Sequence, residues 1–149
     1  MIYLDNAATT KMPPEVLDAM LPYFRENYGN ASAAYSLAGK SKKAIMEARE
    51  ILADSLGAKV QEIYFTSGGS ESDNWGLKAV CDAYQEKGRH IITSKIEHHA
   101  VLHTLKKLEK AGFEIELLDV HENGMVSPEQ VADAIREDTC LVTIMYANN

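Results

Sequence analysis

Apolar side chains recur at intervals of three and four residues in several stretches of the chain, the spacing that places them on one face of an α-helix. These stretches cover about residues 14–24, 41–56, 70–87, 101–108 and 127–135. Pro13 and Pro14 can open the first helix, and Pro22 within it removes a backbone donor and is expected to kink it. Gly57 follows the second stretch and predicts its end.

Short runs of aliphatic, β-branched and aromatic residues lie between the predicted helices. They cover residues 63–65, 90–94, 113–117 and 141–145. In the third run apolar residues alternate with Glu114 and Glu116, which predicts a half-exposed strand. The fourth run is continuously apolar and predicts a strand that is buried on both faces.

The alternation of strands and helices determines the predicted architecture. Strands that are joined through helices of about ten or more residues need crossover connections, which make neighbouring strands parallel. We therefore predict an α/β chain with a mainly parallel sheet and helices on both faces. The chain contains no repeat, low-complexity tract or linker, so residues 1–149 are predicted to form a single domain.

Composition and charge exclude several classes of protein. The net charge is −7 and no basic cluster is longer than the pair Lys42 and Lys43, so nucleic acid is not a predicted partner. No apolar run approaches the roughly 20 residues that cross a bilayer, and the chain begins without an export signal, so a cytoplasmic protein is expected. Cys81 and Cys140 lie far apart in sequence and are expected to be small buried residues without a disulfide.

In parallel α/β sheets, ligands bind at the carboxyl ends of the strands. Three turns follow predicted strand ends, those after Phe65, Ser94 and Met145. The first turn, residues 66–73, reads Thr-Ser-Gly-Gly-Ser-Glu-Ser-Asp. Ser70 is expected to cap the next helix with Asp73 closing a capping box, and free amides at the helix start would hold a phosphate. The turn has neither the Walker nor the GxGxxG pattern, and an ordinary strand-to-helix turn is the alternative.

The second and third turns contain histidines and asparagines. His99 and His103 are four residues apart, but the chain lacks the H-E-x-x-H pattern, so no metal site is predicted. His98 lies between strand end and helix start, where an imidazole can stack on a flat ring or transfer protons near neutral pH. A solvated turn histidine is the alternative. Asn148 and Asn149 follow the last strand and can bind a ligand or form a turn.

Taken in order, the motifs of the chain resemble those of the cysteine desulfurases in the class V aminotransferase family. The segments that carry the resemblance are YLDNAATT at 3–10, GN at 29–30, FTSGGSESDN at 65–74, HIITS at 90–94, EH at 97–98, AVL at 100–102 and ANN at 147–149. The resemblance covers the whole chain, which matches only the first part of the usual family sequence. It implies the amino-terminal part of the large domain of the fold type I transferases, which use pyridoxal 5′-phosphate.

The resemblance also implies roles for single residues. Gly69 and Ser70 match the positions that hold the cofactor phosphate. His98 matches the catalytic imidazole that stacks on the pyridine ring and assists proton transfers. Asn149 matches the asparagine that approaches the ring oxygen of the cofactor.

The chain departs from the family pattern in two kinds of position. Residues 29–36 lack a usual proline and histidine, and Tyr146 stands where histidine is frequent, which affects substrate and subfamily more than cofactor class. The family's Schiff-base lysine, its aspartate on the pyridinium nitrogen and its sulfur-accepting cysteine lie beyond residue 149, and neither Cys81 nor Cys140 matches that cysteine. This partial domain alone is therefore expected to be inactive and to bind the cofactor weakly or not at all.

The resemblance implies an activity only for the complete enzyme. That enzyme would remove sulfur from L-cysteine, giving alanine and an enzyme persulfide for a sulfur-acceptor protein in iron–sulfur cluster assembly or thiolation. It would be a homodimer or a higher oligomer. Two alternatives are a non-catalytic truncated remnant, at most a phosphate-binding or interaction module, and another class V enzyme such as a selenocysteine lyase or an aminotransferase.

Overall fold

The computed structural model describes residues 2–148. The chain divides between Phe65 and Thr66 into two compact units. The first unit consists of helices and irregular segments, and the strands of the described chain lie in the second. Within the described residues, no helix is long and apolar enough to cross a membrane. The assignment of the whole chain to one domain stays a prediction.

Two helices form most of the first unit. They are α1 at Pro14–Arg25 and α2 at Ser36–Leu56, and a 3₁₀ turn at Val60–Glu62 follows. Helix α1 begins with proline at its first position, as predicted, and continues past Pro22. Helix α2 begins earlier than predicted but ends at Gly57, which has a φ of 64° and donates its N–H to the carbonyl oxygens of Ala53 and Asp54. Glycine adopts this left-handed conformation at little cost, so the predicted helix end is confirmed.

The predicted strand at residues 63–65 is wrong. The structure has an irregular segment there, whose Ile63 carbonyl oxygen accepts a 3.2 Å hydrogen bond from Arg49 Nε on α2. The Arg49 guanidinium also lies 5.1 Å from the centre of the Phe65 ring. A strand needs a second strand to satisfy its backbone groups, and no strand of the described sheet pairs with this segment.

The second unit alternates helices and strands. Its elements are α3 at Gly69–Tyr84, β1 at His90–Ser94, α4 at His99–Lys110, β2 at Glu114–Leu118, α5 at Pro128–Ala134 and β3 at Thr139–Thr143. The strands are parallel and lie in the order β2-β1-β3. The predicted α/β class and the parallel sheet are therefore confirmed, because helical crossovers connect the strands.

Strand β1 is the centre of the sheet, and all of its residues are buried. Ile91 of β1 belongs to a core that α3 and α4 complete. The buried members of this core are Leu77, Cys81, Ile91, Val101, Leu105, Leu108 and Phe113. The apolar spacing that predicted helix α4 is thus the face that packs on the sheet, and this packing places the amino ends of α3 and α4 at the site.

Strand β3 differs from its prediction in position and in burial. It covers Thr139–Thr143 instead of residues 141–145, and Val142 is 40% exposed because β1 is the only neighbour of β3 within the described chain. Beyond the strand, the Met145 amide donates to the Glu97 carboxylate at 2.9 Å, which ends the ladder. The prediction of a strand buried on both faces is therefore wrong for this chain.

An ion-pair cluster joins the amino ends of the two outer strands. Arg136 donates to both carboxylate oxygens of Glu114 on β2, at 2.7 and 2.9 Å, and to Asp138 before β3, at 3.0 and 3.1 Å. These bonds lower the pKa values of Glu114 and Asp138 and raise the pKa of Arg136. The cluster lies at the edge opposite the carboxyl ends of the strands, so it stabilises the sheet and takes no part in the site.

The structure describes both cysteines as free thiols. Cys81 is buried, as predicted, whereas Cys140 is half-buried. Burial raises the pKa of Cys81 to about 11 and also raises the pKa of Cys140. Neither thiol therefore supplies much of the reactive thiolate at neutral pH.

Candidate functional site

Helix α3 begins in the glycine-rich turn. Gly68 caps the helix with a φ of 159° and a ψ of 176°, a conformation that is nearly exclusive to glycine. Because the helix begins directly after Gly68, Ser70 lies inside the first turn instead of at the cap, and the predicted capping box with Asp73 is wrong. The Glu71 carboxylate closes the turn by accepting a 2.6 Å bond from the Ser67 amide, and this bond lowers the pKa of Glu71.

The first two amides of α3 lack hydrogen-bond partners within residues 2–148. The amides of Glu71 and Ser72 donate to the Gly68 carbonyl oxygen, both at 3.1 Å, but those of Gly69 and Ser70 donate to no described residue. A Cβ atom placed on Gly69 would meet no atom within 4 Å, so the space beside it is open. Free amides at the positive end of a helix of 16 residues favour an anion.

His98 is the N-cap of helix α4, between the end of β1 and the helix, as predicted. Its Nδ1 atom accepts a 3.1 Å hydrogen bond from the Ala100 amide. In the neutral ring the proton therefore resides on Nε2. Because the side chain is exposed, that proton is available to a ligand.

Ser70 and His98 line the same cavity, which has a volume of about 370 Å³. Other lining residues include Asn74 of α3 and His103 and Lys107 of α4. The amino ends of the two helices thus bring two of the predicted site residues together. The cavity combines a phosphate-type helix end with a flat imidazole and a basic side chain, a set that suits an anionic ligand with a planar ring.

The histidines on α4 form a stacked pair. The rings of His99 and His103 have centres 5.5 Å apart and planes inclined by 25°. Across residues 2–148, no group of three or more His, Cys, Asp and Glu side chains is arranged to hold a metal ion. The pair therefore contributes aromatic and polar surface to the cavity wall.

Glu97 has no predicted role, but it is a buried side chain directly before His98, only 5% exposed. Its Oε1 atom accepts hydrogen bonds from Ser94 Oγ at 2.7 Å and from the Met145 amide at 2.9 Å. The sequence offered one signal, a glutamate directly before a candidate imidazole. That signal does not distinguish a buried carboxylate from an exposed one, because burial depends on the distant segment around Met145.

The turn after β3 contacts the loop before α4. Asn148 Nδ2 donates to the Ile96 carbonyl oxygen at 2.6 Å, so this asparagine connects two turns. Asn149, which was predicted to approach the cofactor ring, lies outside the described residues. Of the predicted cofactor-binding residues, the structure therefore places Gly69, Ser70 and His98.

The chain is similar in sequence and in fold to known proteins. The family model described as Aminotransferase class-V matches residues 2–149. The cysteine desulfurase IscS of Methanosarcina thermophila is 57% identical over 148 residues, which are 99% of this chain and 37% of that protein. A structure of SspA in complex with cysteine matches with a TM-score of 0.91 and 44% identity over 98% of this chain and 42% of its own. A NifS-like protein matches with a TM-score of 0.90 and 41% identity over 96% and 39%.

Proposed function

The chain belongs to the aminotransferase class-V family, and from that premise we propose that it forms the cofactor-binding part of a cysteine desulfurase that uses pyridoxal 5′-phosphate. The chain spans 37% of the length of the Methanosarcina relative, so the activity concerns a longer protein. One observation carries the proposal. Ser70, with its unpartnered helix amide, lines the same 370 Å³ cavity as the His98 imidazole.

The residues of the site fit the phosphate group of this cofactor. A phosphate needs several donors and a positive potential, which the amides of Gly69 and Ser70, the Ser70 hydroxyl and the dipole of α3 supply. The open space beside Gly69 leaves room for the phosphate oxygens. His98 offers a flat ring in the same cavity, and it would stack on the pyridine ring.

The chemistry divides between cofactor and protein. When bound, the cofactor withdraws electrons from the amino-acid substrate. His98 orients the cofactor ring and holds a proton on Nε2, because its Nδ1 atom is committed to the Ala100 amide. In this tautomer the Nε2–H donates a hydrogen bond to the substrate. To transfer a proton near neutral pH, the ring first takes one up at Nδ1 as the imidazolium, which releases the bond from the Ala100 amide.

The proposed reaction transfers one sulfur atom from L-cysteine to an enzyme thiol. The carbon–sulfur bond of cysteine breaks, a sulfur–sulfur bond forms on the enzyme, and the thiol proton replaces the sulfur on carbon, which gives alanine and a persulfide. The thiol sulfur is oxidised and the cysteine carbon is reduced. Burial raises the pKa values of Cys81 and Cys140, which makes both unsuitable as the accepting thiolate. The accepting thiol would therefore come from outside residues 1–149, and the family resemblance implies the same for the lysine that holds the cofactor.

The context of this reaction follows from the same proposal. The persulfide would supply a sulfur-acceptor protein for iron–sulfur cluster assembly or thiolation. A cytoplasmic location and a homodimer or higher oligomer stay predictions. Weak or absent cofactor binding by the 149-residue chain alone also stays a prediction.

A fusion protein tests the proposal. This chain is joined to the part of the Methanosarcina relative that follows the matched region, and the product, called the chimera, is loaded with pyridoxal phosphate. With L-cysteine and an added reducing thiol, we expect alanine and sulfide in equal amounts. The matched control is the 149-residue chain alone. It is expected to form no alanine, and borohydride reduction is expected to fix no cofactor at one particular lysine.

The other outcomes separate the alternatives. A chimera that converts selenocysteine but not cysteine, or that transfers the amino group, would assign the chain to another class V activity. A chimera that folds and binds the cofactor but acts on none of these substrates would indicate a non-catalytic remnant. Cofactor fixed at one lysine of the control chain would show that this chain contains its own cofactor lysine.

A further inference from the structure

Glu97 is a buried carboxylate without a cationic partner in the described chain. It is 5% exposed, and none of the ion pairs within residues 2–148 includes it. Burying a charged group is costly unless hydrogen bonds compensate it. The compensation consists of the Ser94 hydroxyl at 2.7 Å and the Met145 amide at 2.9 Å, both bonded to Glu97 Oε1.

The two donors belong to different strands. Ser94 is the last residue of β1, and Met145 lies two residues after the end of the neighbouring parallel strand β3. The Glu97 carboxylate therefore joins the carboxyl ends of two strands at the edge of the sheet where the site lies. A neutral amide of equal size keeps an acceptor oxygen at this place and can hold the same two donors, although more weakly, because hydrogen bonds to an ionised acceptor are about twice as strong as neutral ones.

The loop that contains Glu97 is also held by bonds on both sides. The Lys95 amide donates to the Leu118 carbonyl oxygen of β2 at 3.0 Å, and Asn148 Nδ2 donates to the Ile96 carbonyl oxygen at 2.6 Å. The backbone before α4 is thus bonded to both outer strands or their extensions. Among the groups that form these hydrogen bonds, the Glu97 carboxylate is the one that is both charged and buried.

His98 follows Glu97 directly, so the position of its ring depends on this loop. The Nδ1 bond to the Ala100 amide requires the extended N-cap conformation of His98, which has a φ of −60° and a ψ of 147°. A displacement of residue 97 moves the His98 backbone and with it the angle of that bond. The negative charge of Glu97 also lies next to the positive end of the α4 dipole, where it is favourable.

We propose that Glu97 is a positioning residue, whose buried carboxylate joins Ser94 and Met145 and thereby holds the His98 imidazole in one orientation and one tautomer. The role of Glu97 in the reaction rests on the proposed function, but its effect on the His98 ring does not. Glu97→Gln keeps an acceptor oxygen at nearly the same place, whereas Glu97→Leu removes it. Glu97→Asp keeps the charge but shortens the reach, so it cannot contact both donors without moving the loop.

The first experiment uses nitrogen NMR of the His98 ring in the full chain without cofactor. In the parent chain and in Glu97→Gln, Nδ1 is expected to show the shift of an acceptor and Nε2 that of a protonated nitrogen. In Glu97→Leu and Glu97→Asp, both shifts are expected to move towards the tautomer average. Leu108→Ala is the control, because it weakens the core under the same helix without touching the loop, and it is expected to leave the His98 shifts unchanged.

Two results would overturn the proposal. One is an unchanged His98 tautomer in Glu97→Asp and Glu97→Leu, and the other is an equal change in Leu108→Ala. If Glu97→Leu does not fold, Glu97→Asp decides, because it keeps the carboxylate.

The second experiment measures alanine formation by the chimera. Displacement of a catalytic group by about 1 Å can cost about 10²-fold in rate, so kcat of Glu97→Asp is expected to fall by roughly 10- to 100-fold with little change in KM. Glu97→Gln is expected to restore most of kcat. An unchanged kcat in Glu97→Asp beside an altered His98 tautomer would contradict the catalytic part of the inference. If the parent chimera has no desulfurase activity while the NMR result holds, the proposed function is wrong and the positioning role of Glu97 stands.

Discussion

Single atoms of the site are distinguished by whether they already have a partner. His98 Nδ1 is bonded to the Ala100 amide, which leaves Nε2 for chemistry. The Ser70 amide and its neighbour have no partner in the described chain, which leaves them for an anion. At this scale the predictions state which of several similar residues contributes to catalysis or to cofactor binding. Matched substitutions test them.

Replacing His98 in the chimera is expected to lower kcat by about 10²- to 10⁴-fold, the usual contribution of a positioned proton-transfer group. His98→Asn is the informative variant, because asparagine is a good N-cap and should keep helix α4 stable while it removes the imidazole. His99→Ala and His103→Ala serve as controls and are expected to lose far less. Alanine formation from L-cysteine measures all of them, and a larger loss in either control would assign the wrong histidine.

Ser70→Asp is expected to affect stability and cofactor binding in opposite directions. An acidic residue in the first turn of α3 interacts favourably with the helix dipole by about 0.3–1 kcal/mol, so thermal unfolding should be unchanged or higher. The same charge repels a phosphate, so the affinity of the chimera for pyridoxal phosphate should fall by about tenfold or more. Ser70→Asn is the neutral control and should bind much more tightly than Ser70→Asp. Equal affinities would place the phosphate away from α3.

At the scale of secondary structure, the amino ends and the carboxyl ends of the parallel strands have separate roles. The carboxyl ends of β1 and β3 are joined by Glu97 and lead to the site. The amino ends of β2 and β3 are joined by Arg136, which bonds to Glu114 and Asp138. Stability can therefore be changed at the amino ends of the strands without altering the chemistry at their carboxyl ends.

Arg136→Met is expected to reduce the acid sensitivity of folding. Arg136 lowers the pKa values of Glu114 and Asp138 in the folded chain, so their contribution is complete above the ordinary values of 4.5 and 3.8 and is lost as the pH falls below them. In the variant, the free energy of unfolding should be lower at neutral pH and should fall less between pH values of about 5 and 2. Urea unfolding at several pH values measures this.

Lys43→Met is the control for that experiment, because it removes an exposed pair with Glu47 on α2. Such pairs contribute little, so its pH profile should match that of the parent chain. If Arg136→Met also matches the parent chain, the contacts of Arg136 with the outer strands contribute nothing to acid stability.

At the scale of the whole chain, large apolar side chains and strand edges remain uncovered. Helix α1 buries none of its residues, and Phe24 on it is 71% exposed. Strands β2 and β3 each have one neighbour in the described chain, which leaves an edge on either side of the sheet. Unpaired edges and apolar patches both promote association.

The purified 149-residue chain is therefore expected to sediment as an oligomer or to bind an apolar dye, and Val142→Lys should reduce this association. Val142 is 40% exposed on the β3 edge, where a lysine opposes strand pairing. Met125→Lys is the control, because Met125 is 61% exposed but lies in the loop before α5. A compact monomer with one cooperative unfolding transition and no dye binding would contradict the expectation.

Features that depend on neighbouring residues could be predicted from the sequence. The apolar spacing in 101–108 predicted the face of α4 that packs on β1, and Gly57 predicted the end of α2. Ser127 begins the predicted stretch 127–135 and is the cap of α5, where its side chain accepts from the Gln130 amide. The position of His98 at the start of α4 was predicted in the same way. These features involve about one helical turn, so local sequence contains the interacting groups.

Features that depend on distant residues were decided by the tertiary structure. Residues 63–65 have the composition of a strand but contact Arg49 instead of a second strand, and β3 has one neighbour despite its apolar sequence. The burial of Glu97 requires Met145, which is 48 residues away in sequence. A strand ladder and a buried carboxylate each need a partner from another segment, and only the folded arrangement determines which segments become neighbours.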